Sequence, residues 1–332
     1  MMLEDIVGIN SRLENLMKLI RRTPDDVCMI RIFGMGGVGK TTIAIVVYEL
    51  LSYEFEGHSF LANVREISEK SGLASLQKQL LSQILMETYY NINDLYDGIS
   101  VIRSRLQHRK VLVIIDDVDN VNQLNTLAGK HHWFGSGSRI IITTRDKHLL
   151  LTHGADELYK VEELNDDDAL KLFCLKAFKS CRPPKDYVEV SKRIVKYAGG
   201  LPLALQVLGS PLFARTIDEW KYALERLTKD FEKEVLDVLQ ISFDGLKETE
   251  KKIFLDIACF FNGEHIDYVT QILDGCGFYP SSGIRDLVDK CLLPILDNKK
   301  LWVHDLLQEM GKQIVKRQSI EKPGKRSRFW EE

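Results

Sequence analysis

Residues 34–41 read Gly-Met-Gly-Gly-Val-Gly-Lys-Thr, and this octet constrains the 332-residue chain more than any other feature in it. An apolar, β-branched run from Val27 to Phe33 leads into it, and a helical run from Thr42 to Leu51 leads out. Glycines at this spacing let the backbone curl until successive amides point inward, and the start of a helix adds partial positive charge at the same place. In the pattern G-x-x-x-x-G-K-[ST], the lysine reaches the β- and γ-phosphates of a nucleotide and the following hydroxyl ligates magnesium. Gly34, Met35, Gly36, Gly37, Val38, Gly39, Lys40, Thr41 and Thr42 are therefore the expected nucleotide-binding residues. A strand, a loop and a helix in this order belong to a parallel sheet covered by helices.

The rest of the first half agrees. Short β-branched runs at His58 to Val64, Val111 to Ile115, Arg139 to Thr144 and Leu158 to Val161 alternate with helical spacings at Leu76, Leu80 and Ile84 and at Val121, Leu124 and Leu127. Residues 1–163 are expected to form an α/β nucleotide-binding domain of the P-loop NTPase kind. Beyond Glu163 the strand signal fades. Asn165 and three following aspartates open a helix, Pro183-Pro184 interrupts the chain, a second helix runs from about Asp186 to Ala198, and Gly199-Gly200 precedes a Pro202-started third. Residues 164–230 read as a small helical domain. Residues 231–321 read as a winged-helix-like domain. Its helices carry Val235, Val238, Leu239 and Ser242 on one stripe and Ile253, Ile257 and Phe261 on another. Leu293 and Ile295 are set to pair with Leu301 and Val303, and Asp305 to cap a last helix bearing Leu306, Met310 and Ile314. Residues 322–332 read as a linker-like tail.

Magnesium on a triphosphate calls for a carboxylate at the end of a neighbouring strand. Val111-Leu112-Val113-Ile114-Ile115-Asp116-Asp117 supplies two: Asp116 is the expected metal ligand beside Thr41, and Asp117 the residue that polarises an attacking water. Ile140-Ile141-Ile142-Thr143-Thr144-Arg145 delivers a cation to the same edge, where Arg145 is placed to stabilise a γ-phosphate.

These motifs, in this order, resemble the NB-ARC module of plant nucleotide-binding leucine-rich-repeat disease resistance proteins, and the resemblance covers nearly the whole chain. Ile6-Val7-Gly8-Ile9 is similar to the family's loop beside the adenine, which implies a base contact at Val7. Gly200-Leu201-Pro202-Leu203-Ala204 resembles its GLPL motif, whose proline, here Pro202, packs on the base. His304-Asp305 falls where the family has Met-His-Asp, and the resemblance implies that His304 touches the β-phosphate of ADP; Val303 stands in the methionine position. Phe60-Leu61-Ala62-Asn63-Val64-Arg65, Asp119 after the acidic strand, and Phe254-Leu255-Asp256-Ile257-Ala258-Cys259-Phe260-Phe261 resemble the subclass with a Toll/interleukin-receptor-like N-terminal domain. Neither that domain nor a leucine-rich array is visible in the sequence.

The resemblance implies a molecular switch for plant defence signal transduction. ADP is held at rest between the α/β domain and the two smaller domains, ATP with Mg²⁺ is bound in the active state, an oligomerisation surface is then exposed, and slow hydrolysis resets the molecule. The alternatives are a constitutive P-loop ATPase and a winged-helix DNA-binding regulator. Charge disfavours the second: the whole chain sums to −3, and residues 232–297 carry 13 acids against 6 bases, a poor match to phosphate backbone, whereas residues 299–328 carry 9 bases against 3 acids and read as a solvated tail. The six cysteines show no metal-ligand spacing, and seven residues of helix would hold Cys174 and Cys181 about 10 Å apart, too far for a disulfide. Reduced thiols, an acidic Met-Met-Leu-Glu-Asp start and no apolar run of membrane-spanning length lead to an expected cytoplasmic or nuclear location, with no membrane partner.

Overall fold

The computed structural model describes residues 6–22, 25–86, 92–152, 156–227, 233–290, 292–296, 298–318 and 327–328. The expected boundary between residues 230 and 231, Cys291, and all of the expected tail except residues 327 and 328 lie outside these. The chain divides into two compact units, one made of Met1–Gly34 with Gly39–Val161 and the other of Met35–Val38 with Glu162–Glu332.

The first unit is built on five strands, β1 (Cys28–Phe33), β2 (Gly57–Leu61), β3 (Val111–Val118), β4 (Arg139–Thr144) and β5 (Glu157–Lys160), in the order β2-β3-β4-β1-β5. Every pairing is parallel. β1 and β4 are buried along their whole length, which is what strands with helices on both faces require. α1 (Ile9–Ile20) precedes the first strand, and between the strands run α2 (Lys40–Leu51), α3 (Val64–Ser71), α4 (Leu73–Leu85), α5 (Leu95–Leu106), α6 (Val121–Ala128) and α7 (Lys147–Thr152). Leu76, Leu80 and Ile84 of α4 share one core with Leu124 and Leu127 of α6 and with Val113 and Ile115 of β3.

Two strand limits differ from expectation for local reasons. The run from His58 stops at Leu61, because Asn63 adopts a left-handed conformation (φ 49°) and turns the fully buried Val64 into the first residue of α3. β3 continues past Ile115 to Val118 through a bulge. Ile115 sits opposite Ile142 but Val118 opposite Thr144, so three steps on β3 match two on β4. Asp117, at φ 57°, is where the backbone makes the adjustment, a region that aspartate tolerates better than most residues.

In the second unit, Asn165 caps α8 (Asp166–Phe178), its Oδ1 accepting from the Asp168 amide at 2.9 Å. α8 ends at Phe178 with Lys179 left-handed, so Cys181 lies outside the helix and the straight-helix separation expected for Cys174 and Cys181 does not apply. Both are free thiols, and burial pushes that of Cys174 up to about 11. A short 3₁₀ turn over residues 185–187 starts α9 (Val188–Ala198), Gly199 ends it in a left-handed conformation, and Pro202 opens α10 (Pro202–Gly209) where no amide is needed. Trp220 of α11 (Ile217–Leu227) is fully buried against Phe173, Phe178 and Tyr187 and donates through Nε1 to the Leu212 carbonyl at 3.1 Å.

The remainder comprises α12 (Lys233–Asp244), α13 (Glu248–Asp256), α14 (Ile266–Gly275), α15 (Pro280–Asp289) and α16 (Asp305–Gln318). α13 runs into a π-helical turn over Ile257–Phe261, where Ile257 and Ala258 are buried and Phe260 is 44% exposed. The hairpin forms, with Ile295 bridged to Leu301 and Trp302 N donating to Pro294 O at 3.0 Å. A third segment joins it through the Gly263–Leu301 and Leu301–Glu264 backbone bonds. His304 caps α16: its ring Nδ1 accepts from the Leu306 amide at 3.2 Å and its carbonyl from the Leu307 and Gln308 amides. Among the described residues no helix is long and apolar enough to cross a membrane.

Candidate functional site

Parallel strands gather their carboxyl ends along one edge, where ligands of such sheets bind. In the first unit that edge carries the exit of β1 at Gly34, the end of β3 at Asp116 and Asp117, and the residues following β4 and β2, Arg145 and Arg65.

Gly39 stands at φ 101°, a conformation an L side chain rarely adopts, and hands the chain to α2 at Lys40. The Lys40 ammonium curls back to donate to the Gly34 carbonyl at 2.7 Å, spanning the loop from end to end. Thr41 Oγ1 donates to the fully buried Asp116 carboxylate, 2.9 Å from Oδ1 and 3.2 Å from Oδ2. A hydroxyl and a carboxylate converging in this way are the hard oxygen ligands that Mg²⁺ prefers. Thr42 follows on the first turn of α2, and Val7 lies in the turn before α1.

Thr143, not singled out from the sequence, ties the two aspartates together. Its hydroxyl donates to Asp116 Oδ1 at 2.7 Å and accepts from the Asp117 amide at 2.9 Å, which plugs the bulge of β3. Asp117 turns its carboxylate to two cations: Arg65 Nε lies 3.1 Å from Oδ2, and Arg145 Nε lies 3.4 Å from Oδ1. Burial lowers the Arg145 pKa from its ordinary value, and Asp117 opposes that shift. Arg65 was visible in the sequence only as part of a subclass motif, with no signal that its guanidinium reaches β3.

In the second unit, Met35 and Val38 are buried, and the Leu203 amide donates to the Gly37 carbonyl at 3.2 Å. Gly36 is buried beside them. Pro202 is partly buried at the start of α10. The His304 ring is buried; with Nδ1 accepting from Leu306, its proton sits on Nε2, which donates to the Gly199 carbonyl at 3.1 Å. A Cβ on Gly199 would lie 2.5 Å from that nitrogen, so a larger residue there displaces the ring.

Comparison with known proteins gives the family. Residues 9–182 match the NB-ARC domain model, and residues 247–319 match the winged-helix domain described as disease resistance protein Roq1-like. The chain is 46% identical over 328 residues to disease resistance protein RUN1 of Vitis rotundifolia, covering 98% of this chain and 25% of that protein. It is 44% identical over 335 residues to TMV resistance protein N of Nicotiana glutinosa, covering 99% of this chain and 29% of that protein. It thus spans about a quarter of the length of the curated relatives it matches. A solved structure, the Walker-type ATPase PABY2304 of Pyrococcus abyssi, shares the fold at a TM-score of 0.64 and 13% identity, over 93% of this chain and 97% of that one. The chain belongs to the NB-ARC family.

Proposed function

We propose that this chain is the ADP/ATP-binding switch module of an intracellular plant immune receptor of the Toll/interleukin-receptor type, ADP-bound at rest and ATP-bound when active, with slow hydrolysis as the reset. The observation that carries the reading is the convergence of Thr41 and Asp116 at 2.9 Å next to a lysine-closed glycine loop. Loop amides and Lys40 bind phosphate oxygens, and Thr41 with Asp116 holds Mg²⁺, which when bound offsets phosphate charge. Arg145 supplies a cation for a third phosphate. Both Asp117 oxygens face guanidinium groups, which leaves little room to orient a water and supports slow rather than constitutive turnover. Pro202 is assigned to the base, Val7 to its surroundings, and His304 to the β-phosphate, a contact for which its Nε2 exchanges the Gly199 carbonyl. Self-association on activation, cytoplasmic or nuclear residence and joining to receptor and effector regions belong to the same proposal.

Protein purified natively and then denatured is expected to release ADP, identified by chromatography, and Lys40→Ala to release none. A folded wild-type chain that carries no nucleotide and takes up none would defeat the reading.

A further inference from the structure

One carboxylate at the carboxyl edge of the first unit's sheet serves two arginines. The side chains of Asp117, Arg65 and Arg145 retain 18%, 24% and 21% of their exposure, so the triplet is shielded well beyond an ordinary surface pair. Neighbouring carboxylates are engaged elsewhere: Asp116 by the Thr41 and Thr143 hydroxyls, and Asp119 by the Gln123 amide at 2.8 Å. Sheet order gives the two cations unequal positions. β4, which delivers Arg145, lies between β3 and the β1 strand that feeds the phosphate loop; β2, whose following helix bears Arg65, lies on the far side of β3. Arg145 thus follows the strand nearer the loop and Arg65 the strand farther from it.

We propose that Arg65 is a positioning residue for nucleotide discrimination: it keeps Asp117 neutralised when Arg145 leaves that carboxylate for the third phosphate of ATP. This rests on the adenine-nucleotide reading above. A shielded carboxylate stripped of its last partner is costly, so without Arg65 the departure of Arg145 is opposed and Arg145 stays on Asp117. A diphosphate makes no demand on Arg145 and is indifferent to the change.

The test uses the full chain stripped of nucleotide, with dissociation constants measured for ADP and for a non-hydrolysable ATP analogue in the presence of Mg²⁺. Arg65→Ala is expected to weaken the analogue about tenfold while ADP stays within about twofold. Arg65→Lys, which retains the charge, restores most of the loss. Asp117→Asn added to Arg65→Ala also restores it, because residue 117 then carries no charge for the departing Arg145 to leave unpaired. Arg65→Gln repeats the measurement with the side-chain stem in place should Arg65→Ala not fold. Equal weakening of both nucleotides, or a loss that persists in the double variant, overturns this proposal and leaves nucleotide binding standing. A wild-type chain that binds neither nucleotide overturns both.

Discussion

Thr143 shows how much of the site hangs on a single hydroxyl. It is buried and makes one bond to each aspartate of β3, so Thr143→Val leaves the Asp117 amide and one Asp116 oxygen short of a partner. A loss of about 1–3 kcal/mol in chemical denaturation is expected, together with weaker Mg²⁺ dependence of nucleotide binding, since Asp116 loses the bond that orients it. Thr143→Ser, which keeps the hydroxyl, should recover most of both. The sequence disclosed the members of this site unevenly. Lys40, Thr41, Asp116 and Arg145 were legible because each sits at a fixed offset from a strand end, where chemistry and chain geometry coincide. Thr143 and Arg65 were not: the first acts through a bulge that no periodicity announces, and the second reaches across from a helix 52 residues away from its partner.

At the scale of elements, strand identity was readable from β-branched runs, while limits depended on tertiary choices such as the left-handed turn at Asn63 that gives Val64 to α3. Helix starts were clearer where a side chain does the capping: Asn165 on α8 was expected, whereas the imidazole cap of α16 needed the observed ring orientation. The start of α6 is also built by side chains. Gln123 Oε1 accepts from the Asp119 and Asn120 amides, and its Nε2 donates to Asp119 Oδ1. Burial holds the Asp119 carboxyl above its ordinary value, against the opposing effects of Gln123 and Arg65. The folded chain therefore keeps this proton over a range in which the unfolded chain has lost it, and stability falls as pH rises through that range. Asp119→Asn preserves the oxygen that Gln123 uses and removes the titration. Denaturation curves from about pH 4 to neutrality should show the variant gaining on wild type as pH rises; a difference independent of pH would contradict the assignment.

For the whole molecule, Gly199 and His304 are 105 residues apart yet describe one contact, which can be broken from either side. Gly199→Ala forces the ring away and sets an alanine at φ 57°, at a cost of about 1–2 kcal/mol; His304→Ala simply removes the ring. If this contact belongs to the resting state, both variants retain less ADP through purification and elute as larger species when ATP is supplied. Unchanged nucleotide content and size in both would remove His304 from the switch while leaving the phosphate loop as proposed. The π-helical turn after α13 has a consequence of another kind. A turn of that form holds more residues than an α-turn, so side chains across it are offset around the axis from the positions a regular 3.6-residue repeat would give them. An apolar stripe counted at α-helical spacing from Ile253 therefore falls out of step over residues 257–261, where Ile257 is buried and Phe260 is 44% exposed.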